Sequence, residues 1–240
     1  LQNRPKLFGI KKLAYQFNRA VGNVDTASLP KQVQAKCQDC EGYRMALIET
    51  CEAIMQIMQG NPDHLPSVNS TQQLEYPPNT APSEVFAKSL HNVKPFWYDE
   101  ELVSQCKTQC AMIAAKQREF QNRGRRQIHL IRTFINNVYF EFEDLKKALM
   151  KSKDELEFAQ EELKSGETIL RKRAVKKATE RYENKLKALD SFLSERFTEL
   201  KNQHVKEIQM IINEAQCYHD WMASYCRPLA NYKVHRPPNL

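Results

Sequence analysis

Glycine is scarce in this 240-residue chain, with only 6 residues, and proline is absent from Phe96 to Arg227. So few turn residues exclude a Rossmann domain, a β/α barrel or a β-sandwich, all of which need frequent turns and β-branched runs. A proline inside a helix costs about 3 kcal/mol, so a gap this long is where very long helices can exist. No apolar run approaches the roughly 20 residues that span a bilayer. No basic start is followed by an apolar signal-peptide core. The seven cysteines are odd in number and show no spacing of a secreted disulfide framework, which predicts a reducing, cytoplasmic setting. Also missing are a Gly-rich phosphate loop, an HExxH pair and a nucleophile elbow, so no enzymatic activity is expected.

What is present is charge and helical periodicity. Charged residues make up 27% of the chain, with 36 Lys+Arg against 29 Asp+Glu, a net charge of +7 and a mean hydropathy of −0.66. Ile131, Ile135, Val138, Phe142, Leu145, Leu149, Leu156, Ala159 and Leu163 step by threes and fours, with Ser152 the one polar member. The pattern resumes after Gly166 with Tyr182, Leu186, Leu189, Leu193, Phe197 and Leu200, slips near His204 and Val205, and continues from Ile208 to Leu229. Such seams argue for coiled-coil-like packing. A further stripe from Lys31 to Gln59 includes Val33, Cys37, Cys40, Leu47, Cys51 and Met58, and stops at Gly60-Asn61-Pro62.

The fold class expected is all-α, with three long helices and no sheet. Helix 1 covers about 24–60, helix 2 about 99–164 and helix 3 about 172–232. Asp99 is the natural N-cap of helix 2. Gly166 supplies the turn that forces helices 2 and 3 into an antiparallel hairpin. Residues 61–84 hold five prolines among polar residues and read as a mobile loop or appendage, with a short helix over Ser83–His91 and a short tail at 236–240. Three stripes this long exceed what one narrow bundle can bury, so self-association is expected.

The positive charge is segregated. Residues 1–24 carry five basic residues and no acid, 111–133 are net +5, and 164–187 are net +6, leaving the rest of the chain negative. In the first region Ile10, Leu13, Ala14, Phe17, Ala20 and Val21 share one side of a helical wheel. Lys11, Lys12 and Arg19 lie opposite. That is the pattern of an interfacial membrane helix over 1–22, folding on contact with lipid; the alternative is an ordinary packed helix or basic tail. The third region places Arg171, Lys172, Arg173, Lys176 and Lys177 at the turn between the long helices, over about 164–178. Anionic lipid is the partner such a cluster suits, and a solvated turn is the alternative. Arg118, Arg123, Arg125 and Arg126 form the central cluster, facing lipid or ion-pairing to another helix.

This order of elements resembles an N-BAR domain of the endophilin type. The resemblance rests on Phe17-Asn18-Arg19-Ala20 before Gly22, Gly60-Asn61-Pro62 at the exit of helix 1, and Tyr76-Pro77 with Pro82-Ser83-Glu84. It extends to the stretches 139–163 and 207–225, and covers about residues 23–235 beyond the N-terminal helix. It implies three kinked antiparallel helices and a homodimer forming a curved six-helix body. The body's concave face and tips would meet anionic phospholipid in membrane trafficking and endocytosis. Ile10, Leu13, Phe17 and Val21 would insert into the bilayer, and Lys11, Lys12, Arg19 and the central and tip cations would bind its headgroups. Two departures are visible: residues 61–84 are polar and Pro-rich, and no SH3 domain lies within this chain.

The alternative class is a cytosolic helical scaffold or small-GTPase-binding coiled coil with no membrane remodelling. Nucleic-acid binding is disfavoured by the acidic remainder and the absence of any zinc-finger, RNA-recognition or helix-turn-helix pattern. Cys37-x-x-Cys40 and the Cys106/Cys110 pair fall on helical stripes, where cysteine packs as a small hydrophobe. No metal and no cofactor are therefore expected.

Overall fold

The computed structural model describes residues 29–68, 73–93, 95 and 100–230. Among them every regular element is helical and no strand occurs. The N-terminal helix expected over 1–22, the Asp99 cap and the tail at 236–240 lie outside the described residues.

Helix α1 spans Lys31–Gln59 and stops where Gly60 turns to a φ of 68°. The Gly60 N–H bonds back to Gln56 O at 2.9 Å, satisfying a carbonyl left open by the helix end. Helix α2 covers Pro82–Val93 and α3 covers Glu100–Gln127. At Ile128 the α3 helix breaks. The short α4, His129–Thr133, follows, then a π-helical segment over Phe134–Val138, then α5 over Tyr139–Lys164. Helix α6 spans Ile169–Ser191, a second π segment covers Phe192–Arg196, and α7 runs Phe197–Ala230.

The single helix expected over 99–164 is therefore interrupted in the described part. The second long helix begins three residues earlier than expected. Thr168 caps it, accepting the Arg171 N–H at 3.2 Å, a cap of about 1 kcal/mol. The register slip expected near His204 and Val205 is not there. From Phe197 the inward positions continue through the half-buried Leu200 to His204, Glu207 and Ile211 at steps of three and four, with polar residues occupying two of them. The irregularity lies upstream, in the π turn, where one extra residue per turn shifts the register.

The chain divides into two units. The first comprises residues up to Arg44 together with Asn137–Glu199. In it α5 and α6 lie antiparallel, as the pairs Glu162–Arg171, Glu155–Arg181 and Glu141–Arg196 require. The start of α1 runs in the same direction as the chain from the end of α6 through the second π segment, touching it through Lys36–Asp190 at 2.7 Å and Tyr43–Phe197 rings 5.4 Å apart. Val33, Cys37, Cys40, Phe142, Leu149, Leu189 and Leu193 fill its core. Ser152 is buried there too, its hydroxyl bonded to the Leu149 carbonyl at 2.8 Å.

The second unit comprises Met45–Asn136 and residues from Leu200 onward. Here α3 and the start of the first π segment lie antiparallel to α7, through Phe120 stacked on Tyr218 at 4.6 Å and Phe134 edge-on to His204 at 5.5 Å. Gly124 of α3 packs directly against the Met58 side chain of α1. A Cβ there would sit 2.2 Å from Met58 Sδ.

The described part of 61–84 is not a free appendage. Val68, Leu74, Tyr76 and Ala81 are buried, and the backbone around Tyr76 is anchored by side chains from α1 and α3. Gln121 Oε1 accepts the Tyr76 N–H at 3.0 Å, and the Tyr76 hydroxyl donates to Gln59 O at 3.1 Å. Gln59 Nε2 donates to the Leu74 carbonyl. Gln59 and Gln121 are fully buried, and these bonds are what make that burial tolerable.

Candidate functional site

The hairpin end of the first unit is built by its turn. Ser165 Oγ donates to Glu162 O at 2.8 Å, and Gly166 takes a φ of 158°, which residues with a side chain rarely adopt. Arg171 folds back over this turn, donating from Nη1 to Gly166 O at 2.7 Å with Glu162 3.8 Å away. Lys172 pairs with Glu167 at 2.7 Å, both well exposed. The other three cations of the cluster behave differently. Arg173, Lys176 and Lys177 are exposed and make no ion pair among the described residues. Ile169 and Leu170, in the first turn of α6, are each 73% exposed, more than any other large apolar side chain described. Beneath Leu170 a groove of about 460 Å³ opens between α5 and α6, with Phe158, Ala159, Ala174 and Ala178 among its lining residues.

The central cluster, in the second unit, is largely committed to its own fold. Arg118 donates from Nε to Tyr76 O at 2.9 Å and from Nη2 to Pro77 O at 3.1 Å, and it also pairs with Glu84. That guanidinium holds the Glu84 carboxyl below the usual range. Arg123 sits between Glu119 at 2.7 Å and Glu214 at 3.4 Å, and Arg125 lies 3.6 Å from Glu75. Arg126 alone of the four is exposed without an ion pair among the described residues. Ion pairing to other segments thus accounts for three of the four arginines.

A buried polar group that the sequence pattern did not single out lies in the same unit. Both carboxylate oxygens of Glu207 accept backbone N–H groups at the helix break, Leu130 at 2.8 Å and Ile131 at 2.9 Å. Burial pushes this carboxyl above its ordinary value, and the two backbone donors pull the other way. His204, fully buried one turn earlier, is held below the ordinary imidazole value by desolvation, with a hydrogen bond to the Leu130 backbone opposing. The available signal was the unbroken spacing Phe197, Leu200, His204, Glu207, Ile211.

The membrane-insertion residues Ile10, Leu13, Phe17 and Val21, and the cations Lys11, Lys12 and Arg19, lie outside the described residues. All seven cysteines are unbridged. Desolvation raises the Cys37 and Cys110 thiols and pushes Cys51 up to about 11, so these three are packed thiols rather than ready nucleophiles. No group of three or more His, Cys, Asp or Glu placed to hold a metal occurs among the described residues. No described helix is long and apolar enough to cross a membrane. No protein-family model matches the chain, and no curated protein matches it.

Proposed function

We propose that this chain is a BAR-type membrane-curvature protein. It binds anionic phospholipid as a peripheral protein of the cytoplasm and performs no catalysis. In this reading the three long helices, kinked at the break and the π segments, pair with those of a second copy into a curved six-helix body. Ile10, Leu13, Phe17 and Val21 insert as an N-terminal amphipathic helix, flanked by Lys11, Lys12 and Arg19. The observation that carries the reading is the outward face of α6. Arg173, Lys176 and Lys177 stand there exposed and without acidic partners, at the end of an antiparallel hairpin. Each cation at an anionic bilayer is worth about 1 kcal/mol, so three supply about 3 kcal/mol, on the order of a hundredfold in affinity.

The experiment is co-sedimentation with phosphatidylcholine vesicles with and without phosphatidylserine. Binding should need the anionic lipid and weaken steeply with salt, whose screening length is about 8 Å at physiological strength. Reversing Lys172, Arg173, Lys176 and Lys177 to Glu should remove most binding and leave helicity intact. Equal binding by that variant overturns the reading.

The second reading is a helical scaffold or small-GTPase-binding coiled coil without membrane remodelling. It is favoured by the intramolecular pairing of Arg118, Arg123 and Arg125, which leaves the central cluster with little charge to offer a membrane. Sedimentation that finds an elongated dimer with no vesicle affinity selects it.

A further inference from the structure

Two adjacent aliphatic side chains in the first turn of a helix ordinarily turn inward. Ile169 and Leu170 do not: both are 73% exposed. The buried side of α6 is set elsewhere, by Ala178 and Leu189. On a helix of 3.6 residues per turn, Ile169 shares its face with Arg173 and Lys176 at i+4 and i+7, and Leu170 shares its face with Lys177 at i+7. The hairpin therefore ends in an apolar pair, with three exposed cations set back along the same side of the helix.

The turn that carries the pair is held firmly. Thr168 caps α6 through the Arg171 N–H at 3.2 Å, and Arg171 is tied to Gly166 O at 2.7 Å. A solvated polar turn needs none of this apolar surface, and water disfavours leaving it exposed. A surface that rewards both features at once has an apolar interior behind a layer of negative charge. An anionic bilayer is such a surface.

We propose that Ile169 and Leu170 form a second membrane wedge, entering the headgroup–acyl boundary of an anionic bilayer while Arg173, Lys176 and Lys177 remain at the phosphate level. This deepens the lipid-binding reading and rests on it. The wedge is independent of the N-terminal segment, because it sits on the helical hairpin itself. Its depth is limited: past the first turn, the same side of α6 carries the three cations, which stop at the phosphates.

The test uses the full chain with Trp97→Phe and Trp221→Phe, so that Leu170→Trp supplies its one tryptophan, and vesicles of phosphatidylcholine and phosphatidylserine. The tryptophan emission should shift to the blue on binding, and lipids brominated near the top of the acyl chain should quench it. A second variant, Ile169→Ser with Leu170→Ser, keeps every charge. Its affinity for the same vesicles should fall about tenfold or more, while salt dependence and helicity stay unchanged. Tryptophan emission that stays at its water position on vesicle-bound protein overturns the wedge and leaves the charge-driven reading standing. A blue shift without lipid, growing with protein concentration, means that a second copy covers the pair and overturns the wedge as well. Absence of vesicle binding by the unmodified chain overturns both proposals.

Discussion

Glu207→Ala should be among the most destabilising single changes in the second unit, and the structure sets its size. The carboxylate accepts two backbone donors, Leu130 N–H at 2.8 Å and Ile131 N–H at 2.9 Å, in the first turn of the short α4 helix. Those N–H groups have no partner within their own helix because the chain breaks at Ile128. Ile131 is fully buried, so water cannot replace the lost acceptor there. A hydrogen bond to a charged group contributes about 1.5–3 kcal/mol, and a buried donor left unpaired costs about 1–3 kcal/mol. Burial of the carboxylate works against this, as its raised protonation point shows, so the net loss lies below the sum of two such bonds. The expected cost is about 2–5 kcal/mol for Glu207→Ala. Glu207→Gln keeps one carbonyl acceptor and should cost about half as much. Against a typical net stability of about 5–15 kcal/mol, either loss is readily measured. Urea melts followed by far-UV circular dichroism would read it, at one fixed protein concentration because the proposed self-association would make stability concentration-dependent. Amide exchange at Leu130 and Ile131 should accelerate first. An alanine variant within about 0.5 kcal/mol of the parent, the range of neutral surface changes, refutes the capping role. So does a glutamine variant weaker than the alanine one.

Arg118→Ala should release the segment around Tyr76, speeding amide exchange from Tyr76 to Ala81 and costing about 1.5–3 kcal/mol, while vesicle affinity stays unchanged. An affinity loss matching that of the tip variant would instead make Arg118 a lipid contact. Gly124→Ala should cost about 1–3 kcal/mol in melts by pushing into Met58, and adding Met58→Ala should bring the double variant below the sum of the two single losses. His204 is depressed by burial, so its contribution is fully present above the ordinary imidazole value and is lost as pH falls through the depressed one. Urea melts at pH 7.5 and 5.5 should therefore show the parent losing stability that His204→Leu does not lose, and equal slopes would refute this.

Much of the helical content was legible because it depends on local rules. The missing proline between Phe96 and Arg227, the three-and-four spacing, and the glycines at 60 and 166 each act within a turn or two of chain. The break at Ile128 and the two π segments have no such marker. Ile128 is an ordinary helix former, and the break is supported from Glu207, 77 residues away from Leu130. The described part of 61–84 differs from a free loop for a related reason. Five prolines do describe its backbone, but the described part is held by Gln59, Arg118, Gln121 and Asn122, whose Nδ2 donates to Glu75, and no local pattern announces that a buried glutamine will accept the Tyr76 N–H.

The same distinction decides the candidate site. By sequence the central and tip clusters look alike: each is strongly basic, at net +5 over 111–133 and net +6 over 164–187, with few acids close by. What separates them is where the distant acids come to rest. Glu84 and Glu214 are 34 and 91 residues from the arginines they neutralise, so a local charge count cannot include them. At the tip Glu162 and Glu167 pair with Arg171 and Lys172, while Arg173, Lys176 and Lys177 make no ion pair among the described residues, although Glu180 lies one turn from Lys176 and Lys177. Apolar residues divide in the same way. Ile131 and Ile169 are indistinguishable in a hydropathy pattern, yet one is fully buried and the other is 73% exposed. A side chain left without a partner in its own chain, cation or aliphatic, is what the proposed lipid contact at the hairpin end rests on.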